Sequence, residues 1–351
     1  MATYYVSKQG NDSENGTTTA LAWLTIDHAV DTVSAGDTVY VAPGTYIEVV
    51  TNGVTGTSGN VITIIGDPGC EKFVDIEGIT PGLVRLTQAA AGTELADDSN
   101  TILWFFNAKT YIVVKNLTAD GIGGSTDNSA HGSYGFYNTS YSYAGIECIN
   151  CTATVSYSAF AGLQTITRCM GMAGFYAYYL CNSAVDCIAI GGLHGMRQVF
   201  YPTQCIVIAG VTGMQYPTQA YNCLAVGCYY GYNLANDSDI LDNCASVACY
   251  IGIDGYGYYD IDPTAPNYYS QNYQTLHATN TGGDAPVQAP IISYSIKNMM
   301  HLLKALEPWL GKGMEGLADN SDLASQTTDI LGRNRRNTST GSVGTLDIGP
   351  Y

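Results

Sequence analysis

Positive charge is scarce in this chain: 351 residues hold 13 Lys and Arg against 30 Asp and Glu, a net charge of −17. A surface of that sign repels phosphate backbones and anionic lipid, so neither nucleic acid nor a membrane surface is an expected partner. Long apolar runs are also missing. No stretch reaches the roughly 18 apolar residues of a membrane span, and the opening "MATYYVSKQGNDSENG" lacks a basic segment followed by an apolar one, so no signal peptide is expected. Between Ala144 and Asp262 there is no lysine, and the strong cations there are Arg168 and Arg197. Phenylalanine is rare as well, 7 residues against 28 tyrosines.

Glycine and cysteine are abundant. Forty glycines supply turns, and eleven cysteines recur on a beat. Cys151, Cys169, Cys187, Cys205 and Cys223 stand 18 residues apart, and Cys244 follows after 21. The stretches after them keep the same phase ("CMGMAG", "CIAIGG", "CIVIAG", "CLAVGC", "CASVAC"), each leading into a turn. A short strand in a period near 20 marks a solenoid, whose units bury their apolar faces only by stacking. Laps about 4.8 Å apart would set each thiol over the previous one. Such a ladder holds like side chains parallel, unsuited to the dihedral of a disulfide, and buried thiols are expected. The single CxxC, Cys148 to Cys151, has no second pair at zinc-ligand spacing, and no metal or cofactor is expected.

Both parities of the repeated strand are uncharged. The reading puts the larger set inside (Met170, Ile188, Ile206, Leu224) and the smaller set on a flat outer face (Cys169, Gly171, Ala189, Cys205, Ala225). The reverse, with cysteines inward, stays open. Residues Ile296, Met299, Met300, Leu303, Leu306 and Leu310 keep helical spacing, which predicts an amphipathic helix over 295–310 packed on the shaft.

At the N-terminus, "YYVSKQGNDSENGT" reads as strand and turn, "AWLTIDHAVDTVSAG" as a short helix with Leu24, Ala29, Val30 and Val33 inward, and "GDTVYVAPGTY" as strand and turn. This order caps an open sheet edge. Further strands are expected in "VITIIG", "FVDIEG", "LVRL", "ILWFF" and "YIVVKNLTADG". Together with the closing "TDILGRNRR" and "GTLDIGPY", the N-terminal motifs resemble those of pectate-lyase-like right-handed parallel β-helix proteins. The resemblance implies an all-β, single-stranded right-handed parallel β-helix of about 18 residues per coil. One continuous domain is expected, with a cap at 1–52, the helix proper at 53–262 and a closing segment at 263–351. That superfamily spans lyases, hydrolases and phage tail or capsid-surface proteins, so it leaves the activity open.

Eliminative cleavage of a uronate polymer needs a base and a cation, and glycoside hydrolysis needs paired carboxyls. His194 near Arg197 could serve the first; Asp237 and Asp239, sharing a face of an extended segment, could serve the second or hold calcium. Each also has a plain reading as a turn residue, and no catalytic pair stands out. Tyrosine is the other candidate, as a rigid ring with a polar tip for protein interfaces or sugar stacking: Tyr176, Tyr178, Tyr230, Tyr232, Tyr256 and Tyr258. Two functions are weighed. One is a non-enzymatic virion component, a bacteriophage decoration or tail-associated protein made in the host cytoplasm, with other virion proteins as partners and a possible homo-oligomer. The other is a polysaccharide lyase or glycoside hydrolase.

Overall fold

The computed structural model describes residues 1–74, 76–88, 101–121, 133–139, 144–208, 211–221, 223–236, 239–242, 244–247, 249, 251–255 and 273–274. The helix expected over 295–310 and the closing tail lie outside the described residues. The chain divides into two compact units, Met1–Ser183 with Ile190–Leu193, and Ala184–Ala189 with His194–Tyr351.

In the first unit, successive laps give one strand to each of three parallel sheets. The first sheet takes Thr3–Val6, Thr38–Val41, Ile62–Gly66, Ile112–Lys115, Ile146–Ile149 and Thr165–Thr167. Gly44–Ile47, Val84–Thr87, Thr118–Gly121, Thr152–Val155 and Met170–Ala173 make the second, and Val50–Thr51, Thr101–Phe105, Ser133–Tyr137, Ser158–Ala161 and Tyr176–Tyr179 the third. Parallel neighbours require crossovers of one hand, and the coil is a right-handed parallel β-helix. In register along the first sheet stand Thr38, Thr63, Val113, Glu147 and Thr165, so long early laps give way to an 18-residue one.

The second unit repeats the plan, with Tyr201–Thr203, Gln219–Tyr221 and Ile240–Asp242 in the first sheet and Ile206–Ile208, Leu224–Val226, Ala245–Val247 and Tyr273–Gln274 in the second. Its third sheet holds His194–Arg197, Thr212–Gln215, Tyr230–Leu234 and Ile251–Gly255. Ile240 pairs with Gln219, 21 residues earlier, which places the extra residues seen before Cys244 in that lap.

The cap follows the sequence closely. Helix Ile26–Thr32 starts where the Thr25 side chain accepts from the His28 amide, and the Glu48 carboxylate accepts from the Ile26 and Asp27 amides at 3.1 and 3.0 Å. Ala29, Val30 and Val33 are buried, while Leu24 precedes the helix and Ile26 takes the inward place expected of it. "FVDIEG" forms no strand among its described residues; Phe73 packs edge-on against Tyr5 instead.

The parity is the reverse of the one the sequence reading preferred. Cys169, Ala189, Cys205 and Ala225 are at most 2% exposed; of the larger set Met170 and Ile188 are half-buried on the outside, while Ile206 and Leu224 are 2% and 3% exposed. The reason is the close approach of the second and third sheets. A Cβ on Gly171 would stand 3.1 Å from the Ala159 Cβ, and one on Gly135 only 2.8 Å from the Ala153 Cβ. Only small side chains fit that seam, so bulk is placed on the other side of the strand, for Met170 and Ile188 at a cost in exposed apolar area.

All eleven cysteines are buried, and no disulfide joins them. The column stands at a corner between the first and second sheets. The preceding residue there is left-handed: Asn116, Asn150, Arg168, Asp186 and Gln204 all have φ between 51° and 57°. Asn and Asp tolerate this region best, and the side chains form a ladder within the first unit. Asn150 Nδ2 donates to Asn116 Oδ1, and Arg168 Nε donates to Asn150 Oδ1. The bend turns carbonyls inward, and each thiol answers two of them. Cys169 Sγ donates to Thr167 O at 3.3 Å and to Cys148 O, one lap below, at 3.4 Å. In the second unit Cys205 reaches Thr203 O and Ala184 O, and Cys223 reaches Tyr221 O and Pro202 O, at 3.3 to 3.4 Å. Cysteine is small enough for the corner and still carries a weak donor, which alanine and valine lack.

Candidate functional site

The third sheet carries the aromatic residues, and its strands divide them between two sides. Phe136, Phe160 and Tyr178 are fully buried and stacked, with ring centroids 5.3 and 5.2 Å apart and planes within 10°. Tyr178 was expected on a binding surface. It lies inside, where its hydroxyl donates to the Cys169 carbonyl at 2.8 Å. Tyr232, expected beside it in role, makes the same bond to Cys223 O at 2.7 Å in the second unit and is 1% exposed. The hydroxyl that suggested a wet position instead satisfies a corner carbonyl.

Outside the first unit's third sheet lies a continuous aromatic patch. Tyr134 is 4.7 Å from Tyr137 and 5.0 Å from Tyr157; Tyr157 stacks on Phe175 at 5.2 Å and meets Tyr176 edge-on at 5.7 Å. Tyr176 in turn stacks on Tyr179 at 4.6 Å, and Phe105 extends the patch through Tyr137. Tyr176 is enclosed by its neighbours, and the other six rings are half-buried. Neighbouring laps bring residues distant in sequence side by side: Tyr134 pairs with Ser158 and Ser158 with Tyr176. Burial raises the Tyr134 pKa, and Tyr157, Tyr137 and Tyr179 add to the rise, with a hydrogen bond between the Tyr134 and Tyr157 side chains. Four phenol groups thus gather there as hydrogen-bond donors and acceptors. Of this patch the sequence reading named Tyr176 but not Tyr134, Tyr137, Tyr157 or Tyr179; the run "GFYNTSYSYAG" carries Tyr137 and the run "GFYAYY" carries Tyr179, while Tyr134 and Tyr157 stand outside both.

In the second unit the outward row is polar. His194, Thr212 and Tyr230 stand in register, as do Arg197, Gln215 and Asn233. Burial first and Arg197 second bring the His194 pKa down to about 4, so the ring is neutral near pH 7 but a weak base. Asp239 is 3% exposed and belongs to the first-sheet side of its lap, just before Ile240–Asp242. Its carboxylate accepts from the Ala235 and Asn236 amides at 2.9 and 3.0 Å, which makes it a turn staple. His194 and Arg197 therefore share one strand, and Asp239 belongs to another sheet. Asp237, Tyr256 and Tyr258 lie outside the described residues. Among the described residues no group of three His, Cys, Asp or Glu is arranged to hold a metal ion, and no helix is long and apolar enough to cross a membrane.

His194 gives the molecule an acid sensitivity with a definite sign. The unfolded chain protonates it below about pH 6.5, the folded chain only near 4. Stability present above the first value is lost as pH falls toward the second. Urea denaturation should show the parent losing about 2 kcal/mol more than His194→Gln between pH 7 and pH 4, after allowance for solvent screening. Equal losses would show that the imidazole is not held neutral.

No protein-family model matches the chain, and no curated protein matches it. Several solved structures are similar to it. A rhamnogalacturonan lyase shares 15% identity at a TM-score of 0.46, over 71% of this chain and 74% of that one. The pectate lyase Pel9A shares 13% at 0.41, over 96% and 88%. A GH136 lacto-N-biosidase from Eubacterium ramulus shares 12% at 0.38, over 73% and 56%. At such identities the common property is the architecture.

Proposed function

We propose that the protein engages a polysaccharide along the outward face of its third sheet, and that this, rather than a place in a virus particle, is its function. The observation that carries the reading is the patch of half-buried Tyr134, Tyr137, Tyr157, Phe175 and Tyr179 around the enclosed Tyr176. Aromatic rings pack against the C–H surfaces of a sugar, and phenol tips exchange hydrogen bonds with its hydroxyls. Straight parallel strands present these groups in a row, which suits an extended polymer. The particle reading rests on the composition and terminal motifs, and no feature among the described residues favours it. Cleavage of the bound polymer is the alternative the sequence raised; a neutral His194 of low basicity beside Arg197 gives it modest support.

The test is affinity electrophoresis of the whole chain in gels carrying plant, bacterial and fungal polysaccharides, with parallel assays for unsaturated products and new reducing ends. Binding to at least one polymer is expected. A Tyr157→Ala, Phe175→Ala double variant should weaken it at least about tenfold, since each ring contributes about 1 kcal/mol. Retention unchanged by the double variant, or no retention at all, rules the site out.

A further inference from the structure

Resting on that reading, we infer that the patch selects an uncharged glycan over a uronate or otherwise acidic polymer. The rings that line it are Phe and Tyr throughout, with no charged side chain among them. Burial and the neighbouring phenols oppose ionisation of Tyr134.

The whole chain carries −17. A polyanion approaching this face meets like charge and finds no cation in the patch to pair with its carboxylates, whereas a neutral polymer meets apolar edges and hydroxyl partners without that opposition. Arg85, in the same unit, is already held by Asp120 on the second sheet.

The experiment compares neutral polymers (hydroxyethyl cellulose, galactomannan, arabinan, galactan) with polygalacturonate and alginate, by affinity electrophoresis and by titration calorimetry with their oligosaccharides, at 20 mM and 500 mM salt. Expected is retention by a neutral polymer that changes less than twofold with salt and is lost in the Tyr157→Ala, Phe175→Ala variant. Acidic polymers should bind at least tenfold more weakly at low salt. Tighter binding of an acidic polymer, weakened by salt but still dependent on Tyr157, overturns the selectivity and leaves the binding face standing. Failure of every polymer removes the binding face itself. Because the double variant could lose its fold, Tyr157→Phe with Tyr134→Phe is measured beside it. Those rings keep their packing and lose only hydroxyls, so an intact melting transition with weaker neutral-glycan retention is expected, and unchanged retention counts against the inference.

Discussion

Replacing Gly195 with valine should unfold the second unit under conditions where the parent is folded, a loss of about 3 kcal/mol or more. Gly195 sits in strand His194–Arg197, on the side that meets the second sheet. A Cβ there would stand 2.0 Å from Val207 Cγ1 and 2.9 Å from the Gly213 carbonyl oxygen. Neither atom ends a long side chain that could swing away. Val207 is fully buried, and the Gly213 carbonyl belongs to the neighbouring strand. Protein interiors are packed as densely as organic crystals, so the overlap becomes a backbone shift that neighbouring laps must share. Even Gly195→Ala should cost about 2 kcal/mol, and Val207→Ala in the same chain should restore a large part of it. Urea denaturation of the four proteins of that cycle measures the coupling. Additive losses would mean that the two sheets do not meet as closely as described.

Phe160→Ala should cost the first unit about 4 kcal/mol. The ring is 0% exposed and stacked on both faces, against Phe136 at 5.3 Å and Tyr178 at 5.2 Å, so its removal leaves a void that two rigid neighbours cannot fill. Phe160→Leu keeps most of the volume and should lose only about 1 to 2 kcal/mol. On the opposite side of the same sheet, Tyr157→Ala should cost about 1 kcal/mol, because that ring is half-exposed and its loss is filled by water. Denaturation midpoints for the three variants separate the inner stack from the outer patch. A Tyr157→Ala loss as large as that of Phe160→Ala would place both in one core.

The coil was legible because stacking forces a period, and the period is written in cysteine. The cap was legible because strand, N-cap threonine and apolar helix face occur in a fixed local order around Thr25. Parity was not. Hydrophobicity separates inside from outside only when one face is polar, and here Ile206 and Cys205 are both apolar. What chooses between them is the narrow gap between two sheets, a distance that no single strand encodes. Tyr178 and Tyr232 misled for a related reason. Their hydroxyls argue for water unless the left-handed corner is known to turn a carbonyl toward them. Asp239 fitted its plainer reading as a turn former. The outer patch was visible only as tyrosine-rich runs, since its members come from separate laps and meet through lateral pairing.

The corner thiols bear on how such a chain could have arisen. Each donates to a carbonyl two positions back and to another 21 positions back, so an eighteen-residue block brings donors for the block beneath it and acceptors for the block above. A tandem copying error of that length would be born with its bonding complete on both sides. Genes for rods of this kind can therefore grow or shrink by whole turns, and a second cysteine-to-cysteine segment spliced between Cys205 and Cys223 should yield a longer protein that still folds.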